Sequence, residues 1–417
     1  MTSREAAVRV LQKTEKNEAY ANSALKEALA KAGLSALDNA FATELVYGVI
    51  RHKMRIDYII SHYSSQKLKN LSIWILSILR IGVYQLLFLD SVPSFAAINE
   101  SVKLAKRYGH AASAGFVNAV LRAVSKGGEI KIPSIEQYYS HPKWLVDMIC
   151  SQYPNDCKKI LAANNTVAPI TVRVNTLKTT PQLLCDSFKK SGITATADGE
   201  IITISKFGDL SLLEEYKNGL FIPQDKGAYL AAKAVNPKPG QLVIDVCAAP
   251  GGKTTQLAQM SDDKAKVIAF DIHPHKISLI ERNAERMGIG SVTALVHDAA
   301  TIKEEYVGTA DSVLADVPCS GLGIIRKKPD IKWTKSPSDI EQIIKLQKSI
   351  LAASAKYLKK DGVLVYSTCT INKHENSDVT DDFIKRHPFE KVWEKQLLPH
   401  IDNCDGFYIC KLIRRSF

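Results

Sequence analysis

The sequence predicts three successive parts: an all-helical bundle, a small α+β domain and a larger α/β domain built on a parallel sheet. Three observations support this fold class. Apolar residues recur at helical spacing up to about residue 125. Helical and strand-like segments are mixed between residues 131 and 235. Beyond residue 236, strand-like and helical runs alternate, as they do in parallel α/β sheets. We therefore expect domains over residues 1–130, 131–235 and 236–417.

Composition and charge restrict the class of protein. Hydrophobic residues make up 46% of the 417 residues and charged residues 24%, which argues against a disordered or fibrous chain. Lys and Arg total 55 against 43 Asp and Glu, giving a formal charge of +12. This surplus favours a polyanionic partner, either nucleic acid or an anionic membrane surface. Residues 1–130 hold +7 of it, so the helical part is the strongest electrostatic candidate.

The cysteines and the N-terminus indicate a reduced, cytoplasmic protein. Eight cysteines are too sparse for a disulfide scaffold, and no CxxC pair offers zinc-ligand spacing, so we expect no metal. The N-terminus has no apolar core of signal-peptide length. The stretch Leu71–Leu89 approaches the length of a membrane span, but Arg80 and Gln85 interrupt it. We expect a buried bundle helix there, and a monomeric protein that does not contact membranes.

The helical part carries no active-site signal of its own. Pro93 ends the apolar stretch, Ser94 can cap the next helix, and Gly127-Gly128 stop the last one. The basic residues of this part are either solvated helix faces or, in a subset, an RNA-binding surface: Arg51, Lys53, Arg55, Lys67, Lys69, Lys103, Lys106, Arg107, Arg122 and Lys126.

The second part has the mixed pattern of a small α+β domain. The run Ile170–Leu177 (ITVRVNTL) alternates with period two, as a strand does. A helix near 181–191 and short strands around Gly199–Ser205 follow. Residues 131–235 carry a net charge of only +2, so we expect a spacer or a substrate-shaping module.

The third part opens with a strand, a tight glycine turn and the start of a helix. The turn lets backbone N–H groups approach a ligand at the carboxyl edge of the sheet. It consists of Cys247, Ala248, Ala249, Pro250, Gly251, Gly252 and Lys253. Gly252-Lys253-Thr254 imitates the end of a P-loop, but Cys247 stands where that motif needs its first glycine. GxGxxG is also missing, so both an NTPase and a nicotinamide dehydrogenase are disfavoured. The predicted strands are Leu242–Val246, Val267–Asp271, Val292–Val296, Ser312–Asp316 and Gly362–Ser367.

Three acids and two cysteines follow successive strands of this part. A single acid after a strand is usually a helix N-cap. Asp271, Asp298 and Asp316 together, along one sheet edge beside a glycine loop, favour a nucleoside-bearing cofactor. Cys319 and Cys369 fall on strand-end turns at the same edge. A cysteine is most often a small buried hydrophobe, but a thiolate is also the natural nucleophile for an electron-poor ring carbon.

Long segments of the chain resemble known families. The RNA cytosine-C5 methyltransferases that use S-adenosylmethionine have segments similar to DVCAAPGGKTTQLA, DVPCSGLGIIRKKPDIKW and VYSTCTINKHEN, which begin at Asp245, Asp316 and Val365. The segment Val92–Val124 resembles the transcription-antitermination factor NusB. This fusion is similar to the bacterial Sun/Fmu (RsmB) branch, which methylates small-subunit (16S) rRNA. The resemblance implies a NusB-like RNA-binding bundle followed, after the small domain, by a Rossmann-like methyltransferase domain.

The resemblance also implies roles for single residues. Cys369 would be the nucleophile that adds to C6 of the cytosine, and Cys319 would assist removal of the C5 proton. Asp316 would hydrogen-bond the N3/N4 edge of the base, and Lys253 lies close enough in the motif to reach it. In the DNA counterparts the Pro-Cys thiol attacks, so the sequence alone leaves the choice of nucleophile open. The cofactor would be held by the glycine turn, Cys247 to Lys253, with Asp271, Asp298 and Asp316.

Two positions of the chain depart from the usual family sequence, and two other functions remain alternatives. Thr370 stands where the family usually has serine, and Tyr408 where it has a second phenylalanine. Amino-group methyltransferases are disfavoured, because an Asn/Asp-Pro-Pro-Tyr motif would stand in place of Asp316–Cys319. The same chemistry on tRNA and a non-catalytic rRNA-binding assembly factor remain alternatives. The segment Arg326-Lys327-Lys328 either grips a phosphate or consists of solvated loop charges.

Overall fold

The computed structural model describes residues 1–17, 21–128, 130–205 and 207–415. They form two compact units, and each is described by itself. The helical unit comprises Met1–Asn165 and Lys328–Thr334, and the sheet unit comprises Thr166–Lys327 and Lys335–Phe417. The chain therefore leaves the sheet unit after Lys327 and rejoins it at Lys335.

The helical unit confirms the predicted all-α part. Its helices begin where the sequence supplies caps: the Ser35 side chain accepts the backbone N–H of Asp38, and that of Ser72 accepts the N–H of Ile75. Pro93 occupies the cap position before the sixth helix, so Ser94 is its first residue rather than its cap. The helices are α1 Ser3–Asn17, α2 Ala21–Ala32, α3 Ala36–Arg51, α4 Lys53–Tyr63, α5 Ile73–Phe88, α6 Ser94–Tyr108, α7 Ala111–Lys126, α8 Ile135–Tyr139, α9 Lys143–Gln152 and α10 Cys157–Asn164.

The apolar stretch predicted as a bundle helix forms α5, in the centre of the helical core. Ile78 and Leu79 are fully buried there. Arg80 is buried as well, and its guanidinium donates to both carboxylate oxygens of Asp57 at 2.7 and 2.8 Å and to Glu15 at 3.0 Å. Paired carboxylates offset the cost of burying this charge. Within the described residues, no helix has the length and apolarity that crossing a bilayer requires.

A disulfide joins two helices of the same unit. Cys150 of α9 is bonded to Cys157, the first residue of α10. The expectation that all eight cysteines are reduced is therefore wrong for this pair. The free cysteines are Cys185, Cys247, Cys319, Cys369, Cys404 and Cys410.

The small α+β domain is a four-stranded antiparallel sheet with helices beside it. The strand order is β2-β3-β1-β4. Val172, Val174, Phe188 and Phe221 form its buried core. The elements are β1 Ile170–Val174, α11 Pro181–Lys190, β2 Thr194–Asp198, β3 Ile201–Ser205, α12 Glu214–Lys217 and β4 Phe221–Pro223.

The large sheet has seven strands in the order β10-β11-β9-β8-β5-β6-β7. Five neighbouring strands of this sheet, β9, β8, β5, β6 and β7, are parallel to one another. The strands β10 and β11 are antiparallel and lie at one edge. The strands are β5 Leu242–Asp245, β6 Lys266–Asp271, β7 Val292–Val296, β8 Ala310–Asp316, β9 Leu358–Thr368, β10 Phe389–Leu397 and β11 Phe407–Arg414. The helices of this part are α13 Lys226–Val235, α14 Gly252–Met260, α15 Pro274–Met287, α17 Pro337–Lys356, α18 Ser377–Arg386 and α19 Pro399–Asp402. The intervening α16 Ile331–Thr334 belongs to the helical unit. The predicted α/β part is confirmed, and its five predicted strands are the five parallel ones.

The segment that includes α16 completes the helical unit. The Lys332 ammonium donates to the carbonyls of Arg51 and Ser140 at 2.7 and 2.8 Å, and to the side-chain oxygen of Asn165 at 3.2 Å. The indole of Trp333 donates to the carbonyl of Ile50 at 2.9 Å. The last carbonyls of a helix lack partners within it, so residues far along the chain satisfy the end of α3.

Candidate active site at the carboxyl edge of the large sheet

The glycine loop between β5 and α14 is held at the edge of the sheet. The backbone N–H of Ala248 donates to the carbonyl of Phe270, at the end of β6, at 2.8 Å. Gly251 has a φ of +99°, and a Cβ there would lie 3.1 Å from the Cα of Ile280. The position therefore favours glycine on both counts. The loop and the start of α14 thus present their backbone at the sheet edge predicted for cofactor binding.

A cavity of about 220 Å³ lies beside this loop. Two carboxylates at strand ends, Asp245 and Asp316, face it, together with the polar side chains of Gln224, Asp225 and Lys253. Its other walls come from Pro223, Ala228, Cys247, Ala248, Ala249, Pro250 and Gly252. The structure thus brings together most of the predicted loop. It adds Asp245 and Gln224, which the sequence analysis missed, although Asp245 has the same strand-end position as the acids that were singled out.

Burial dominates the electrostatics at the base of this cavity. It raises the pKa of Asp245 to about 7, although the hydrogen bond from the Thr254 hydroxyl (2.7 Å) and the charge of Lys253 oppose the rise. It also raises the pKa of Cys247 well above its ordinary value, and the charges of Asp245 and Asp316 add to that effect. The Cys247 thiol is therefore protonated at neutral pH and is a wall of the cavity rather than a nucleophile.

Asp316 and Lys253 form an ion pair at the end of β8. The ammonium of Lys253 lies 2.5 Å from one carboxylate oxygen of Asp316, and the Ser367 hydroxyl donates to the other at 2.7 Å. Burial lowers the pKa of Lys253, but Asp316, Asp245 and Cys369 outweigh it and raise that pKa overall. The lysine is accordingly a fixed cation at neutral pH.

The side chains of the two predicted cysteines, Cys319 and Cys369, are in contact. Cys319 follows β8 and Cys369 follows β9, and their Sγ atoms lie 3.1 Å apart. The backbone N–H of Gly323 donates to the carbonyl of Cys369 at 3.0 Å, which fixes one loop on the other. The hydrogen bond with Cys369, and then burial, raise the pKa of Cys319 well above the ordinary value. The pair lies on the same sheet edge as Asp316 and Lys253.

The remaining two predicted acids lie farther along the edge. Asp271 ends β6, is 8% exposed, and accepts the backbone N–H of His273 at 3.0 Å. Asp298, just beyond β7, is exposed and accepts the N–H of Ala300 at 3.0 Å. The residues lining the 220 Å³ cavity do not include Asp271 or Asp298. Both acids therefore lie at the sheet edge outside that cavity.

Two of the three basic residues after the Pro-Cys turn pair with carboxylates. Arg326 is buried, with its guanidinium 3.5 Å from Asp405. Lys327 is partly exposed and contacts Asp405 at 2.6 Å and Asp225 at 3.0 Å. For Arg326 both sequence interpretations, phosphate contact and solvated loop charge, are wrong. Lys328 alone of the three is exposed.

The predicted basic residues of the helical unit differ in exposure. Arg51 is buried. Lys53 contacts Glu15 at 2.5 Å and Arg55 packs on the Phe88 ring, and both are partly exposed. The exposed members of the predicted set are Lys67, Lys69, Lys103, Lys106, Arg107, Arg122 and Lys126.

Two further buried charged residues support the site, and the sequence analysis missed both. Arg173 of β1 is fully buried and donates to the carbonyl of Gly252 at 2.7 Å and to the Gln224 side chain at 2.5 Å. Glu375, also fully buried, accepts hydrogen bonds from both cysteine turns. Neither gives a clear sequence signal, because Arg173 binds Gly252 and Gln224, and Glu375 binds Ser320, all of them more than 50 residues away along the chain.

Comparison with known proteins agrees with this arrangement. The family described as 16S rRNA methyltransferase RsmB/F matches residues 232–413. The NusB family matches residues 1–126, and the RsmF/B-like ferredoxin-like domain matches residues 141–209. A solved structure titled "Crystal Structure of PH0851" is 26% identical, has a TM-score of 0.82 and covers 98% of each chain.

Curated relatives extend over nearly the whole chain. A Bacillus subtilis protein named "Probable ribosomal RNA small subunit methyltransferase B" is 35% identical over 99% of both chains. A "Ribosomal RNA small subunit methyltransferase B" from Photorhabdus laumondii is 31% identical over 91% of both. With full-length relatives at this identity and all three of its domains matched, the chain belongs to the RsmB/F family of 16S rRNA methyltransferases.

Proposed function

We propose that the protein transfers a methyl group from S-adenosylmethionine to C5 of a cytosine in 16S rRNA, through a covalent adduct between Cys369 and C6. The observation that carries the proposal is the 3.1 Å separation of the Cys319 and Cys369 sulfur atoms beside Asp316 and Lys253. Methyl transfer to an oxygen or an amino nitrogen needs no thiol. Transfer to a ring carbon does, because C5 of cytosine is too poor a nucleophile until a thiolate has added to C6.

The residues of the glycine-loop cavity suit S-adenosylmethionine. This cofactor supplies an electrophilic methyl group on a positively charged sulfur, and it also carries an ammonium group. The cavity presents the carboxylates of Asp245 and Asp316 to such cations, beside a glycine turn that leaves room for close approach. Asp271 and Asp298, at the ends of the next two strands, are positioned for the hydroxyl groups of a ribose.

The electrostatics favour Cys369 as the nucleophile. The Lys253 cation and Cys369 interact electrostatically, and this interaction is one of the causes that raise the pKa of the lysine. Cys319 instead has its pKa raised by its bond to Cys369 and by burial. In the resting enzyme Cys319 therefore keeps its proton at neutral pH. Cys369 then forms a bond to C6, and the electron pair released to C5 takes the methyl group from the sulfonium. Cys319, which must first have released its own proton to solvent, accepts the C5 proton. The electron pair of that C–H bond re-forms the ring double bond, and the sulfur–carbon bond breaks with its electrons returning to Cys369.

Asp316 and Lys253 suit the polar edge of cytosine. A carboxylate accepts a hydrogen bond from the exocyclic N4 amino group, and an ammonium donates to N3 or O2. Donation to N3 or O2 draws electrons from the ring and makes C6 a better target for the thiolate. Because Ser367 and Lys253 both bind Asp316, the carboxylate is held before the base arrives.

RNA binding is assigned to the helical unit, with exposed basic residues as the phosphate contacts. A cytosine in a loop or bulge leaves its stack at lower cost than one in a duplex, so such positions are the expected targets. A ribosomal RNA substrate agrees with a cytoplasmic location. Monomeric action remains a prediction.

Labelled methyl transfer tests the proposal. The protein is incubated with methyl-labelled S-adenosylmethionine and either unmodified 16S rRNA or bulk tRNA, and the product nucleosides are separated. Label in 5-methylcytidine from rRNA alone is the expected result. Label in tRNA would overturn the substrate but keep the chemistry. Label in a different nucleoside would overturn the two-cysteine mechanism, and absence of label from rRNA and from partly assembled small subunits would favour the assembly-factor alternative.

A further inference from the structure

The side chain of Glu375 binds the residues that immediately follow each cysteine. One carboxylate oxygen accepts the Ser320 hydroxyl at 2.6 Å and the Thr370 hydroxyl at 3.3 Å. The other accepts the Ser320 backbone N–H at 2.8 Å. Ser320 follows Cys319 and Thr370 follows Cys369, and the two hydroxyl oxygens are themselves 3.0 Å apart. We infer that Glu375 is a positioning residue that holds the Pro-Cys and Thr-Cys turns in register and so sets the separation of the two thiols.

The surroundings of Glu375 fit this role. The residue is fully buried, as are Ser320 and Thr370 within two per cent. Gln347 donates to the carboxylate at 3.3 Å and to the carbonyl of Pro318, one residue before Cys319, at 3.0 Å. Asn372 donates from the other turn at 3.1 Å. A buried carboxylate is costly unless donors surround it, and here the donors come from both cysteine turns.

The same contacts explain a departure in the sequence. The family usually has serine where this chain has Thr370, and the structure uses only the hydroxyl that the two residues share. The threonine hydroxyl bonds to Glu375 and Ser320 while its side chain is buried. A hydroxyl at this position is therefore part of the link between the turns, and the added methyl group does not alter the contact.

The catalytic meaning of this inference rests on the proposed two-cysteine mechanism, but its test does not. Phenylarsine oxide condenses with two thiols, forming two sulfur–arsenic bonds and releasing one water, and it binds tightly only where the sulfurs lie within bridging distance. The wild-type protein and E375Q are titrated with it in excess monothiol, with Cys319→Ser as the reference for lost bridging. In E375Q an amide NH₂ replaces an oxygen that only accepts, so donors of one turn face another donor. We expect the apparent affinity for the arsenical to fall about tenfold, as loss of one charge-assisted hydrogen bond predicts.

A matched control removes a different buried bond of the same residue. The Tyr366 hydroxyl donates to the backbone carbonyl of Glu375 at 2.7 Å and does not contact the carboxylate, so Tyr366→Phe should bind the arsenical like wild type. Glu375→Asp keeps the charge but shortens the reach, and it should behave like E375Q because one turn is lost. Wild-type affinity in E375Q would overturn the inference. Should E375Q fail to fold, Ser320→Ala removes the 2.6 Å bond to Glu375 together with the 3.0 Å contact to Thr370, and unchanged affinity there would overturn the inference equally.

Kinetics give a second readout once methyl transfer is established. A misplaced thiol pair should lower kcat of E375Q about tenfold and leave the KM for S-adenosylmethionine unchanged, since Glu375 does not line the glycine-loop cavity. If E375Q instead lost activity because its KM for S-adenosylmethionine rose, the result would contradict the positioning role. Because the arsenical reports thiol geometry in the absence of RNA and cofactor, a failure of the proposed function leaves that test intact.

Discussion

The sulfur atoms of Cys319 and Cys369 are 3.1 Å apart at the ends of neighbouring parallel strands. The bond to Cys369 and burial raise the pKa of Cys319 well above its ordinary value. The Cys319 thiol therefore keeps its proton at neutral pH, which is why the proposal gives the attack on C6 to Cys369.

Replacing the nucleophile should abolish methyl transfer without removing the cofactor site. In Cys369→Ser the hydroxyl is a far weaker nucleophile at neutral pH, so kcat should fall by at least about 10³-fold. Affinity for S-adenosylmethionine, measured by calorimetry, should stay within about twofold of wild type, since Cys369 is not among the residues lining the cavity. Cys185→Ser, a free cysteine of the small domain, is the control and should retain activity. Substantial turnover by Cys369→Ser would refute the assignment.

Removing the second thiol should trap the intermediate. If Cys319 assists loss of the C5 proton, Cys319→Ala methylates C5 but cannot release the base, and RNA stays bonded to Cys369. A denaturing gel should then show a protein band shifted by the RNA, absent from the Cys319→Ala/Cys369→Ser double variant. A gel without that band would mean that another group removes the proton.

Cofactor affinity should depend on the ionisation of Asp245. With its pKa raised to about 7 by burial, the carboxylate is about one-tenth ionised at pH 6 and nine-tenths at pH 8. A cationic ligand that needs the ionised form should therefore bind about ninefold more tightly at pH 8. Asp245→Asn should lack this change. Titration of the ligand's own amino group affects both proteins alike, so the ratio of the two affinities is the quantity to compare, and a ratio independent of pH would contradict the prediction.

The same pKa fixes the sign of a stability change. The folded state holds the Asp245 proton up to about pH 7, whereas the unfolded chain loses it near pH 4. The folded state thus binds more protons across this window, and its free energy of unfolding falls as pH rises from 4 to 7. Asp245→Asn should remove that decline, and chemical denaturation at pH 5 and pH 8 measures it.

The sequence predicts the parallel sheet well because its strands are continuously apolar. Val292–Val296 is recovered with both ends correct, and Asp271 and Asp316 end their strands as expected. The antiparallel strands β10 and β11 were not predicted. The edge strand β10 is largely exposed and carries Glu, Lys and Gln among its apolar residues, so it lacks the pattern of a buried strand. The strand β11 lies between β9 and β10 and is largely buried.

The candidate site was predicted only where its residues sit in local motifs. The glycine loop and the two cysteines stand next to strand ends, which a sequence reveals. Arg173 and Glu375 act through partners on other elements, and no periodicity marks them. The placement of Lys332 in the helical unit is equally invisible, because its acceptors on Arg51 and Ser140 lie about 280 and 190 residues earlier.

Lys332 should stabilise the helical unit through the three oxygens that it binds. Lys332→Met keeps most of the apolar stem but leaves the carbonyls of Arg51 and Ser140 without this donor. An unsatisfied buried acceptor costs about 1–3 kcal/mol, so amide hydrogen exchange in α3 and α8, whose C-terminal ends carry these carbonyls, should accelerate by one to two orders of magnitude. Lys328→Met, an exposed lysine of the same segment, is the control and should exchange like wild type. Equal amide protection in Lys332→Met and Lys328→Met would show that the hydrogen bonds of Lys332 do not stabilise the helical unit.

Exposed lysines at one end of the helical unit should contribute to RNA binding. The Tyr63 side chain, at the end of α4, packs against Gly127, just after α7, so Lys126 and the segment holding Lys67 and Lys69 flank the same contact. All three lysines are exposed. Each phosphate contact with single-stranded RNA releases about 0.7 counterion. Replacing all three with glutamine should reduce the slope of log affinity against log salt concentration by about 2.

The control for that experiment must change the net charge equally. Lys13 and Lys31 pair with Glu27, and Lys143 pairs with Asp147, all in the helical unit. Because each of these lysines already contacts a carboxylate, Glu27 being shared by two of them, their triple replacement with glutamine should change the salt slope much less. Binding of a labelled 16S rRNA fragment from 50 to 300 mM KCl measures both variants. Equal slopes in the two triple variants would mean that net charge alone attracts the RNA, and that the end of the unit marked by Tyr63 and Gly127 makes no specific phosphate contacts.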